Sequence, residues 1–126
     1  MRGLLHFAIS ILTASMLLPA CAGMEKPPSP AQAVFMLSSQ YNLLLGEIDA
    51  YESQPRCIPP AVVACSDPEV VEELRGFVAE ANPLVAEAER VAREQPDNGN
   101  AISNAAGAAR KALAVLEQYM IAEGVK

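Results

Sequence analysis

Apolar residues recur in alternating steps of three and four along three separate stretches of this sequence. That spacing marks one face of an α-helix. The first stripe is Val34, Leu37, Tyr41, Leu44, Ile48 and Tyr51, and the second is Val70, Leu74, Phe77, Ala81, Leu84, Ala88 and Val91. The third is Ile102, Ala106, Ala109, Leu113, Leu116 and Met120. Three such stripes in one chain can bury one another.

Local signals set the ends of each helix. Ser29-Pro30-Ala31-Gln32 offers an N-cap, a proline at the first helical position and a glutamine for a capping box, and Ser53-Gln54-Pro55 closes that helix. Ser66-Asp67-Pro68-Glu69 has the S-x-x-E form of a second start, with a proline in its first turn. Pro83 lacks an N–H and clashes with the carbonyl of Ala79, yet the stripe keeps its phase across it, which predicts one kinked helix. The run Pro96-Asp97-Asn98-Gly99-Asn100 is a turn signal, so the third helix is expected from about Ala101 to Glu123. Eight of the 22 residues in 101–122 are alanine, which lets a neighbouring helix approach closely. Short connections between long helices favour antiparallel neighbours. The expected fold is all-α, an antiparallel three-helix bundle running up-down-up over residues 31–126. Pairing of the stripes between copies of the chain is the alternative, and an oligomer stays open. Phe35, Leu43, Val71, Val78 and Val115 flank the stripes; they are expected mostly to complete the core, the alternative being a partner surface.

The segment before the bundle reads as an address. Residues 1–20 place Arg2 before an apolar run from Leu4 to Leu18, too short for a comfortable span of about 20 residues and suited to a signal peptide. The tetrapeptide Leu18-Pro19-Ala20-Cys21 that follows resembles the lipobox of bacterial lipoproteins. The resemblance implies cleavage before Cys21, acylation of its sulfur and of the new amine, and a membrane anchored through that lipid. Ala22 is not the aspartate that marks inner-membrane retention, so the resemblance implies an outer membrane and its periplasmic face in a diderm. Residues 21–30 then form the lipidated N-terminus and a Pro-rich tether. Two alternatives are cleavage after Ala22, which would release a soluble secreted protein, and an uncleaved anchor.

Cys57 and Cys65 take their meaning from that address. In an exported protein, two cysteines around Pro59-Pro60 read as a structural disulfide pinning the first connection, the alternative being two buried thiols. The run from Tyr51 through Cys57 and Cys65 to Val71 also resembles small, prophage-like exported helical proteins. That likeness covers residues 31–95 and implies topology alone.

Charge and histidine content narrow the chemistry. The formal net charge is −6 and nucleic acid is not an expected partner, because phosphate binding needs clustered Lys and Arg. The single histidine, His6, lies in the leader. Without it the mature chain cannot form Ser-His-Asp or Cys-His catalytic sets, and no metal or cofactor is expected. Glu72 to Arg75 and Glu87 to Arg90 are spaced i,i+3, and Glu89 to Arg93 i,i+4, as on a solvated helix face. Glu47, Asp49 and Glu52 oppose the dipole at the end of the first helix without an evident return.

No catalytic residue is singled out. The expectation is a non-enzymatic envelope lipoprotein, a lipid-anchored bundle that binds or tethers another envelope protein. The alternative is a lysis accessory resembling the lipoprotein half of a phage spanin pair. A hydrolase working with carboxylates alone is a third class.

Overall fold

Proline and polar caps fix where each helix begins. A computed structural model describes residues 28–59 and 64–126, so the leader, Cys21 and most of the tether lie outside the described residues. Helix α1 spans Pro30–Glu52 and opens with the expected capping box. The Ser29 hydroxyl accepts from the Gln32 N–H at 3.2 Å, and the Gln32 side chain accepts from the Ser29 N–H at 2.8 Å. Together they satisfy two donors that a helix start leaves orphaned.

Helix α2 spans Pro68–Glu94, and its cap is Asp67 rather than Ser66. Pro68 is the first helical residue, which moves the cap to the position just before it. The Asp67 carboxylate accepts from the Glu69 N–H at 2.8 Å. Pro83 lies inside the helix, which is continuous through it. Helix α3 spans Gly99–Ala122, two residues earlier than the turn signal implies. The Asn98 side chain accepts from the Ala101 N–H and recruits Gly99 and Asn100 into the first turn. At the far end Gly124 takes φ 68°, and the Val125 N–H bonds back to the Met120 carbonyl at 2.9 Å. That is a Schellman closure, which favours glycine at the left-handed position.

The three helices form the expected bundle, with no strand among the described residues. Ser38 meets Glu89, Tyr41 meets Asn82 and Glu52 meets Arg75, so α1 and α2 run antiparallel. Gln40 meets Glu117 and Glu47 meets Lys126, so α1 and α3 run parallel. The course is therefore up-down-up.

One core cluster lies between the stripes. Every stripe residue of α3 is buried, as are Val34, Leu37, Tyr41, Leu44 and Ile48 of α1. The α2 stripe is corrected at one position: Val85 is buried while Leu84 is half-exposed, and Leu74, Ala81, Ala88 and Val91 are buried as expected. At about 100° per residue Leu84 and Val85 fall on opposite sides of Ala81, about 60° and 40° away, and the nearer one faces the core. Val70, Phe77 and Tyr51 also sit at the margin, packed against the core and half-buried.

The flanking residues divide. Val78 packs on the core, but Phe35 (74% exposed), Leu43 (70%) and Val115 (50%) do not. Each helix of a three-helix bundle meets only two neighbours, so its outward face stays open whatever residues occupy it.

Candidate functional site

The candidate residues fall into three groups. Cys21 lies outside the described residues. Cys57 and Cys65 form the expected disulfide, with their Cα atoms 5.0 Å apart. The bridge belongs to a larger clasp. Cys57 N–H bonds to the Ser66 carbonyl at 3.0 Å, and Ser66 N–H to the Pro55 carbonyl at 2.9 Å. Ser66 is the one buried polar residue among those described, and its hydroxyl donates to the Gln54 carbonyl at 3.0 Å. The Tyr51 hydroxyl accepts from the Asp67 N–H at 2.9 Å, tying the last turn of α1 to the cap of α2. Four side chains thus hold one connection, and the geometry is structural.

Six of the fourteen described carboxylates pair with bases. Arg90 pairs with Glu87 at 2.6 Å and with Glu94. That hydrogen bond holds the Glu87 carboxyl below its ordinary range. Arg93 approaches Glu89 at 3.7 Å, as the spacing predicts. Arg75 departs from its expected partner: it reaches across to Glu52 with contacts of 3.3 and 3.1 Å, instead of pairing with Glu72. Lys126 lies 4.0 Å from Glu47, and its hydrogen bond to Glu117 is the main cause of its raised pKa. Glu47 and Glu52 therefore do have partners, and both come from other segments of the chain. These exposed pairs contribute little individually. No group of three or more His, Cys, Asp or Glu side chains comes together to hold a metal ion among the described residues.

The third group was underweighted by sequence reasoning: the outward face of α1. Between Pro28 and Gly46 the sequence has no charged residue, whereas α2 has ten in 27. Phe35 and Met36 stand 74% and 62% exposed on the second turn of α1, and Leu43 two turns further on. A groove of about 380 Å³ between α1 and α2 is lined by Phe35, Ser38, Glu89 and Arg93. A smaller one, about 240 Å³, lies between α1 and α3 and is lined by Pro28, Met36, Gln40 and Arg110. Each exposed apolar side chain near the start of α1 is thus bordered by an arginine from an adjacent helix. The signal was present in the sequence as the absence of charge from 28 to 46.

No family model matches the chain, and neither a curated protein nor a solved structure matches it.

Proposed function

We propose that this protein is a non-enzymatic envelope lipoprotein of a bacterium, held by lipid at Cys21 and presenting a helical bundle that binds or tethers another envelope protein. The observation carrying the proposal is the lipobox-like Leu18-Pro19-Ala20-Cys21 at the end of an apolar run, nine residues before the first residue of α1. Several acyl chains at about 0.8 kcal/mol per buried CH₂ anchor a protein stably, where one does not. The Cys57–Cys65 bridge supports export, because disulfides persist outside the reducing cytosol. Among the described residues no helix is long and apolar enough to cross a membrane. On this reading Cys21 supplies the attachment, and the tether faces the periplasm from an outer membrane.

Intact mass of the membrane fraction tests the anchor, with wild type compared against Cys21→Ser. The expected result is a triacyl increment that disappears on substitution. An unmodified soluble species beginning at Gly23 overturns the reading. The binding role is tested by pull-down from detergent extracts, where recovery of no stoichiometric protein would sink it.

A further inference from the structure

We infer that the outward face of α1 around Phe35, Met36 and Leu43 docks on the lipid surface to which the chain is tethered, so that the bundle rests on its own membrane. The inference rests on the lipoprotein reading above and gives that anchor an orientation. Three observations carry it.

The first is where the undescribed chain ends. Pro28, the first described residue, lines the same groove as Met36. Only six residues separate it from Cys21, a span of at most about 25 Å when fully extended. Phe35 lies five residues past Pro30, about 7.5 Å along the helix. The face is therefore held within tether reach of the bilayer.

The second is chemical. Phe35, Met36 and Leu43 are the largest exposed apolar side chains of α1, and between them lie only uncharged residues. Interfacial helices insert side chains of this kind just below the headgroups.

The third is the distribution of charge. Arg93 and Arg110 border the face on its two sides and can reach headgroup phosphates with their apolar stems laid along the surface. The carboxylates at this end of α2 are matched by bases, Glu89 by Arg93 and Glu87 and Glu94 by Arg90. The larger group lies at the opposite end: Glu47, Asp49 and Glu52 end α1, and Glu69, Glu72, Glu73 and Glu80 fill the first half of α2. An anionic lipid surface repels that end and tolerates the start of α1. The bundle is expected to tilt with its disulfide end away from the membrane.

The chain contains no tryptophan, which makes a direct test available. Phe35→Trp, Leu43→Trp and Ile58→Trp each create a single tryptophan, excited selectively over the tyrosines, at a position at least 70% exposed, where the core is not disturbed. The full chain, purified from membranes, is reconstituted in phosphatidylethanolamine–phosphatidylglycerol vesicles with and without brominated acyl chains. Its intact mass is recorded from the same sample. The expected result is blue-shifted emission and loss of most intensity to brominated lipid at positions 35 and 43, with position 58 unchanged. Equal behaviour at all three positions, with the lipid present on Cys21, overturns the docking and leaves the anchor standing. Protection from aqueous acrylamide at 35 and 43 in native membranes, without quenching by brominated lipid, assigns the face to a protein and also overturns it. An unmodified Cys21 overturns the lipoprotein reading and the docking that rests on it.

Discussion

The two connections of the bundle solve the same problem by different means. Residues 53–67 join α1 to α2 through a fifteen-residue excursion containing Pro55, Pro59 and Pro60. Residues 95–98 join α2 to α3 in four. The short link needs little of its own, since the helices it joins already place its ends. Asn98 caps α3, and its side-chain amide reaches the Gln95 side chain at 3.1 Å. The long link gains nothing from brevity and has too few helical hydrogen bonds to define a path. It is defined by a covalent bond, a pair of backbone hydrogen bonds, the buried Ser66 hydroxyl and the reach of Tyr51. Connection length and the number of dedicated fastenings rise together because longer loops have more conformations to exclude.

Three variants put this contrast at risk. The largest effect is expected from Cys57→Ser combined with Cys65→Ser. Releasing a nine-residue closed loop costs about 2.5 kcal/mol on the chain-entropy treatment, or roughly 10–20 °C in Tm for a domain of this size. Helical circular dichroism at low temperature should be retained, because the seams and not the bridge build the core. Thermal melts of wild type with reductant should reproduce the shift, and an unchanged Tm would show that the bridge only decorates an ordered loop. Ser66→Ala comes next. It leaves the Gln54 carbonyl without its donor and is expected to cost about 1.5 kcal/mol in urea unfolding. The smallest effect belongs to the short link. Asn98→Ala removes a solvent-exposed cap and should cost about 0.5–1 kcal/mol. If Asn98→Ala proves more damaging than the double cysteine variant, the four-residue link is the one under tension and the contrast is inverted.

What could be read without coordinates follows from how far each signal reaches along the chain. The α3 stripe was fully legible, because Ile102, Leu113, Leu116 and Met120 recur on one helical face and no proline interrupts it. Asp67 as the cap of α2 was legible in principle: Ser29-Pro30 and Asp67-Pro68 obey one rule, that the residue before a first-position proline caps the helix. The S-x-x-E pattern obscured it by promoting Ser66. The Arg75–Glu52 pair was not legible, since its partners lie 23 positions apart and their meeting depends on the register of two helices. Local spacing pointed to Glu72 instead. Phe35 and Leu43 show a different limit. Their apolar character suggested burial, but burial depends on how many neighbours surround a helix, and here there are two. Of the candidate site, the disulfide was readable from two cysteines around Pro59-Pro60, once the apolar leader was read as an export signal. The uncharged outward face of α1 needed the neighbouring helices in place before its arginine borders could be recognised.

An odd number of helices has a mechanical consequence. The up-down-up course delivers the start of α1 and the end of α3 to opposite poles, about 35 Å apart along helices of this length. A pull between those poles drags two parallel helices past each other. Contacts all along the buried seam must then yield together, and resistance is governed by the height of the unfolding barrier. A hairpin or four-helix bundle returns its chain to the starting pole and can peel apart one turn at a time. Along this course the buried seam lies parallel to any load applied between the two poles, and meets it in shear.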